Sequence, residues 1–147
     1  MVERCTYTKL GMAIELLAQS EFHKRFAMGL YIHIEIVPPL KLDQIWFLTD
    51  ENDIAKAMVS WAQVSQEVLD DIVATGRSIY DHEWNTGNIV FINDFISPNV
   101  PALKIVRMLK DERVFGETYS LTSFRRHMDA SVRRVNRWTN RDNFPET

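Results

Sequence analysis

The sequence is poor in the residues that mark disulfide-rich, metal-binding or low-complexity proteins. Its single cysteine, Cys5, excludes an internal disulfide framework and a cysteine-based zinc site, and suits a reducing compartment. Only five glycines and five prolines occur among 147 residues, of which 46% are hydrophobic, so disorder and collagen-like repeats are excluded. The composition predicts one globular domain over residues 1–147.

Long apolar runs are also missing. No stretch reaches the ~18 consecutive apolar residues that a membrane span needs. The first 17 residues include Glu3 and Glu15 and have no long uncharged apolar core, so they do not resemble a signal peptide. We therefore expect a cytoplasmic protein with no membrane span.

Several common active-site motifs are absent. The five glycines lie at positions 11, 29, 76, 87 and 116, too far apart for a phosphate-binding loop or a dinucleotide fingerprint. The sequence has no Gly-x-Ser-x-Gly elbow of a serine hydrolase and no pair of histidines four residues apart. A metal site is therefore not expected.

Acidic and basic residues are unevenly distributed. Residues 1–100 hold 7 Lys and Arg against 14 Asp and Glu, whereas residues 101–147 hold 10 against 6. Arginine makes bidentate contacts with phosphate and carboxylate, so the C-terminal third is a candidate surface for an anionic partner. The alternative is a solvated strand edge that charge protects from aggregation. The arginines concerned are Arg125, Arg126, Arg133, Arg134, Arg137 and Arg141.

Hydrophobic periodicity predicts alternating helices and strands. Apolar residues at helical spacing predict a helix at 9–19, a helix at 65–75 that ends at Gly76, and a helix from Ser97 to about Lys110. Alternating or continuous apolar runs predict strands at 31–37, 44–49, 54–62, 89–96, 114–124 and 131–138. The first three strands would form a meander. This order of elements predicts a mixed sheet covered by helices, in an α+β or an α/β domain. Of the two we expect the α+β fold, with a mostly antiparallel sheet.

Asp94 is the one ionisable residue in the apolar run 89–96, and a charge buried in such a strand needs a partner. Histidine is a candidate, although Asp94 could instead cap a loop or pair with an arginine. His82 and His127 lie in polar segments, and His33 could be an ordinary sheet histidine. His23 follows Ser20 by three residues, which places both on one side of a helical turn, although Ser20 could be only a helix cap.

Several separated motifs resemble the RTX toxin-activating lysine acyltransferases. They are S-E-F-H-K-R-F at 20–26, I-H-I-E-I-V-P-P-L at 32–40, S-W-A at 60–62, E-W-N-T-G at 83–87 and F-I-N-D-F-I-S-P at 91–98, in the order of the family. The ending S-V-R-R-V-N-R-W at 131–138 is similar to the last basic strand of the family. The resemblance implies a GNAT-like fold and transfer of a fatty acyl group from acyl carrier protein to lysines of a protoxin.

The same resemblance implies the roles of individual residues. His23 would be the catalytic histidine, acting as base or nucleophile, with Asp94 as its carboxylate partner and Ser20 as an auxiliary polar group. We expect a cleft where His23 and Asp94 converge within hydrogen-bond reach. Trp61 and Trp84 are expected in the core or a pocket wall. Glu35 replaces a small polar amide common in the family, which changes the charge of the pocket.

The resemblance also implies partners. They are acyl carrier protein, an acceptor protein that carries the target lysine, and a second copy of the chain in a homodimer. No cofactor would be tightly bound, since acyl carrier protein enters as a co-substrate through its phosphopantetheine thioester. Nucleic acid is not the expected partner.

Two other functions remain open. The chain could be a non-catalytic GNAT-like module that binds protein or nucleic acid through its arginine-rich C-terminal third. It could also be an acyltransferase that uses coenzyme A to acylate a small amine. The pyrophosphate-binding glycine pattern of coenzyme A-dependent GNAT enzymes is not visible, which favours a carrier-protein donor.

Overall fold

The computed structural model describes residues 3–116, 119–126 and 132–140. Within these ranges the strands are β1 (Ile45–Thr49), β2 (Ala55–Val64), β3 (Ile89–Ile96), β4 (Tyr119–Arg126) and β5 (Val132–Asn140). They form one sheet in the order β1-β2-β3-β4-β5. Neighbouring strands are antiparallel except β3 and β4, which are parallel because the helix at Ala102–Asp111 connects them as a crossover.

The helices cover both faces of the sheet. They are α1 (Thr6–Ala18), α2 (Met28–Tyr31), α3 (Val37–Lys41), α4 (Gln66–Thr75) and α5 (Ala102–Asp111). On one face, α1 packs with α3 around Met58 and Ile96, and α4 packs against Phe91. On the other face, α5 packs Ile105 and Leu109 against β2. This arrangement confirms the predicted α+β fold with a mixed, mostly antiparallel sheet, and it is consistent with a GNAT-like fold.

Most predicted elements agree with the structure to within a few residues. Ser65 caps α4 by accepting a hydrogen bond from the Val68 N–H, and Gly76 ends the same helix in the left-handed conformation that glycine favours. Helix α5 begins later than predicted, at Ala102, since Pro101 occupies the position just before it. Strand β4 begins at Tyr119 rather than at Val114.

The predicted strand at 31–37 is wrong. Residues 28–41 are helical throughout, with a π-helical turn at Ile32–Ile36 between α2 and α3. Pro38 and Pro39 are the cause of the error, because they can start a helix as well as end a strand. A proline ring clashes with the carbonyl four residues earlier, so the wider π turn fits just before this pair. The predicted meander therefore has two strands, β1 and β2, rather than three.

The E-W-N-T-G segment is held tightly against the end of β2. The Gln63 N–H donates to the Trp84 carbonyl at 2.9 Å, and the Thr86 N–H donates to the Gln63 carbonyl at 2.7 Å. Arg77 makes two hydrogen bonds to the carboxylate of Glu83, and they lower the pKa of Glu83 below its usual value. These contacts fix the loop that leads into β3.

Gly87 is the residue of this loop that lies very close to the backbone at the end of β2. A Cβ at this position would lie 2.5 Å from backbone atoms of Val64 and Ser65. We expect Gly87→Ala to lower the free energy of unfolding by about 1–3 kcal/mol, since backbone must move to accept the methyl group. Thermal unfolding followed by circular dichroism measures the change.

Gly11 provides the matched control for this prediction. It lies inside α1 and has no atom within 4 Å of the position of an added Cβ. Gly11→Ala should therefore stabilise the protein by up to about 1 kcal/mol through helix propensity. A Gly87→Ala variant that melts at or above the wild-type temperature would contradict the close approach.

Candidate functional site

Ser20 and His23 are brought together by the turn that follows α1. The Ser20 carbonyl accepts a hydrogen bond from the Lys24 N–H at 3.0 Å, and a short 3-10 helix follows at His23–Arg25. The Ser20 hydroxyl accepts from the backbone N–H of His23 at 3.4 Å, and its oxygen lies 2.5 Å from His23 Nδ1. Ser20 therefore acts as a local turn cap and also contacts the imidazole ring.

Asp94 reaches the same place from β3 because of a β-bulge. Ser60 pairs with Asp94 and Trp61 pairs with Ile92, so Asn93 is the extra residue in β3. Strand residues alternate between faces, and one extra residue reverses the alternation. Ile92 packs on the face covered by α5, while Asp94 and Ile96 face the side covered by α1. The bulge thus directs the carboxylate of Asp94 towards His23.

His23 and Asp94 form a buried hydrogen-bonded pair. His23 Nε2 lies 2.7 Å from Asp94 Oδ1, and the two residues are only 6% and 5% exposed. An ionised carboxylate only accepts hydrogen bonds, so the proton of this contact belongs to Nε2. In the neutral ring Nδ1 is then unprotonated and accepts the hydrogen of the Ser20 hydroxyl. The three groups form a continuous chain, Ser20–His23–Asp94.

The structure places Tyr31, which the sequence analysis did not single out, beside this pair. Its hydroxyl lies 2.7 Å from Asp94 Oδ1 and 2.8 Å from Oδ2. The Asp94 backbone N–H donates to the Ser60 hydroxyl at 3.1 Å. The wrong strand prediction at 31–37 is the reason why Tyr31 was not recognised as a site residue. A strand at that position would not bring the Tyr31 hydroxyl close to the 3-10 helix that carries His23.

Aromatic rings surround the imidazole. Phe22 and Tyr31 each contact the His23 ring edge-on, with centroid distances of 5.2 and 5.4 Å. Phe26 stacks on Tyr31 at 5.2 Å. Packing of this kind holds the ring in one orientation and keeps water away from the His23–Asp94 hydrogen bond, which strengthens it electrostatically.

Glu35 adds a second buried carboxylate close to the bulge. Its Oε2 accepts a hydrogen bond from the Asn93 side chain at 2.7 Å, and Asn93 precedes Asp94 in β3. Glu35 belongs to the π-helical turn, one turn after Tyr31. The side-chain amide of Asn93 thus provides a hydrogen-bond donor for Glu35, the residue that replaces a small polar amide common in the family.

The other candidate residues either lie away from the Ser20–His23–Asp94 chain or fall outside the residues that the structure describes. His33 and His82 are exposed, and His33 is in the π-helical turn rather than in a strand. His127 and Arg141 lie outside the described residues. Trp61 and Trp84 are buried, as predicted for core or wall positions.

The remaining arginines are placed by backbone register alone. Arg125 pairs with Arg134 and Thr122 with Arg137, across the antiparallel pair β4–β5. Strand β5 is at the edge of the sheet. Both interpretations of these arginines, a surface for an anionic partner and a protected edge, agree with that position.

The described residues contain neither a metal-binding cluster nor a membrane-spanning helix. Within the described ranges, no group of three or more His, Cys, Asp or Glu side chains is arranged to hold a metal ion. In the same part of the chain, no helix combines the length and the apolar character that crossing a bilayer requires.

The arrangement as a whole is suited to acyl transfer. A buried imidazole between a hydroxyl and a carboxylate can accept a proton from an attacking group and return it to a leaving group. The fold and the site are consistent with an acyltransferase. A family model described as HlyC, the RTX toxin acyltransferase family, matches residues 4–139, and the chain belongs to this family.

Two curated relatives support the assignment. The chain is 27% identical over 106 residues to the lysine-acyltransferase RtxC of Vibrio cholerae, which covers 72% of this chain and 68% of that protein. It is 28% identical over 98 residues to the RTX-II toxin-activating lysine-acyltransferase ApxIIC of Actinobacillus pleuropneumoniae, covering 67% of this chain and 60% of that protein. The predicted family and its enzyme class, protein-lysine acyltransferase, are confirmed.

Proposed function

We propose that this protein transfers a fatty acyl group from acyl carrier protein to lysine side chains of an acceptor protein. His23 acts as the proton-transferring group, Asp94 orients and stabilises its ring, and Ser20 contacts the ring nitrogen that faces the reaction. The observation that carries the proposal is the continuous Ser20–His23–Asp94 chain of hydrogen bonds. By analogy with its relatives, we propose an RTX-type toxin as the acceptor and the cytoplasm as the place of reaction.

The chemistry explains why a histidine is needed. A free lysine amine has a pKa of about 10.4, so presenting it neutral at pH 7 costs roughly 4.6 kcal/mol. In the transfer, the lysine nitrogen bonds to the acyl carbon and the carbon–sulfur bond of the thioester breaks. The proton released by the nitrogen passes to His23 Nδ1 and then to the departing sulfur. Atoms and charge balance without any further reactant.

The contacts of the ring favour a base over a covalent nucleophile. Asp94 holds Nε2, so only Nδ1 is available for chemistry, and Nδ1 already contacts Ser20. A proton can travel through the Ser20 hydroxyl, which accepts one hydrogen while donating another. An acyl group on Nδ1 would instead have to displace Ser20 from the side chain of His23, which is buried.

The sheet offers a place for the acyl donor. Strands β3 and β4 pair only from Ile89 with Ser120 to Ile92 with Ser123, and the bulge at Asn93 follows directly. Beyond this point each strand continues without the other. A phosphopantetheine arm is extended and carries amide groups, so it suits the space where two parallel strands diverge beside Asp94.

The arginine-rich pair β4–β5 is the proposed docking surface for acyl carrier protein. Acyl carrier protein is acidic, and arginines can steer an acidic partner and raise its association rate. Arg125 and Arg134 are neighbours in register on this pair. A homodimer, as implied by the family resemblance, is part of the same proposal.

A transfer assay tests the proposal directly. The purified protein is incubated with acyl-loaded carrier protein, or with acyl-coenzyme A, and with a host lysate depleted of carrier protein as acceptor. Intact-mass and peptide mass spectrometry then identify acylated lysines. We expect lysine acylation and thioester loss from the carrier protein, and the sites of acylation would identify the acceptor.

Each alternative function gives a different result in this assay. Transfer only from coenzyme A, to a small amine, would indicate the coenzyme A-dependent enzyme. Absence of thioester loss from both donors, combined with salt-sensitive partner binding that requires Arg133, Arg134 and Arg137, would indicate the non-catalytic module.

A further inference from the structure

We propose that Tyr31 is a positioning residue, which holds the Asp94 carboxylate in the orientation that binds His23 Nε2–H. The inference rests on the proposed function, because the orientation of Asp94 matters for transfer only if His23 carries the proton. The family resemblance assigned no role to Tyr31. Its assignment comes from the helical stretch 28–41, which the structure places against the bulge of β3.

The contacts of Tyr31 restrict how Asp94 can rotate. Its hydroxyl lies within 2.8 Å of both carboxylate oxygens and shares its one hydrogen between them, while His23 Nε2 reaches Oδ1 alone. The Asp94 N–H is also held by the Ser60 hydroxyl. Rotation of the carboxylate about its Cβ–Cγ bond would break the Tyr31 contact to at least one oxygen. The hydroxyl therefore acts as a clamp on the carboxylate plane.

The ring of Tyr31 is itself held in place. It stacks on Phe26 with an angle of 27° between the ring planes, and it meets the His23 ring edge-on at 84°. A phenylalanine at position 31 would keep both of these ring contacts and remove only the hydroxyl. The substitution thus separates the hydrogen bond from the packing.

Tyr31→Phe is the test in the active enzyme. We expect kcat to fall about ten-fold or more, since a hydrogen bond to a charged group is lost, while KM for the acyl donor changes less than about two-fold. Tyr7→Phe, which removes a hydroxyl from a residue that is 84% exposed, should change none of these quantities.

A kcat of Tyr31→Phe within about two-fold of wild type would overturn the inference. A fall in kcat that is accompanied by an equally large change in KM and a lower melting temperature would also overturn it, because packing alone would then explain the loss.

A spectroscopic measurement keeps this inference separate from the proposed function. The proton on His23 Nε2 should give a downfield NMR resonance that disappears in His23→Ala and shifts in Tyr31→Phe. Site-specific 3-fluorotyrosine at position 31, a stronger hydrogen-bond donor, should shift it in the opposite direction. If no donor supports acyl transfer, these shifts still decide whether Tyr31 positions Asp94, and an unchanged resonance in both variants would refute it.

Discussion

Replacing His23 by Ala is expected to lower the rate of lysine acylation by about 10²–10⁴-fold, the range typical of losing a general base. The reason is geometric as well as chemical. Nδ1 of His23 is the only basic nitrogen in the Ser20–His23–Asp94 chain, and Ser20 cannot replace it, because a hydroxyl is a far weaker base. The measurement is the initial rate of acyl transfer from acyl carrier protein, with acylated lysines counted by mass spectrometry.

His33→Ala is the matched control for this substitution. His33 lies ten residues further along the chain and is exposed, so its loss should leave the rate within about two-fold of wild type. His23→Ala also removes a donor from a buried carboxylate, although Tyr31 still donates to Asp94. Circular dichroism must therefore show that the variant is folded, and His23→Gln, which fills more of the space, serves as a second variant. Full activity of a folded His23 variant would refute the assigned role.

Asp94→Asn is expected to reduce the rate of acyl transfer by about 10³–10⁴-fold, although the asparagine side chain has the same shape as aspartate. An asparagine that turns its NH₂ group towards Nε2 forces this nitrogen to accept a hydrogen bond, so the ring proton moves to Nδ1. The nitrogen that should receive a proton is then already protonated. The corresponding substitution in serine proteases lowers kcat by about 10⁴ for this reason. The same NMR resonance that reports Nε2–H should be lost.

Asp43→Asn provides a comparison with the same chemical change at a surface position. Asp43 forms an exposed ion pair with Lys9 and has a positive φ of 57°, a conformation that asparagine adopts readily. Its substitution should change activity by less than two-fold. Asp94→Asn activity close to wild type, with the Nε2–H resonance retained, would show that the carboxylate does not set the tautomer of His23.

Local patterns were sufficient for most of the secondary structure. The apolar spacing of α1 and α4, the continuous apolar run of β3 and the stop at Gly76 each depend on residues within one element, and the structure agrees with them. The strand prediction for residues 31–37 was wrong because the alternating isoleucines of this segment fit a strand. Packing of Ile36 and Leu40 against α1 requires a helix instead. The decisive contacts are made with another element, so no local pattern contains them.

The residues of the candidate site were also predictable from the sequence only where a local contact or a motif identified them. Ser20 and His23 are three residues apart, so their contact is a property of one turn, and the motif resemblance identified Asp94. The sequence by itself thus determined the fold class, the family and the three residues of the chain. Only the tertiary structure decided that Asp94, 71 residues from His23, turns towards it, because the bulge at Asn93 reverses the faces of β3. It also decided that Tyr31 and Glu35 lie beside the bulge, since the helical stretch 28–41, rather than a strand, carries them there.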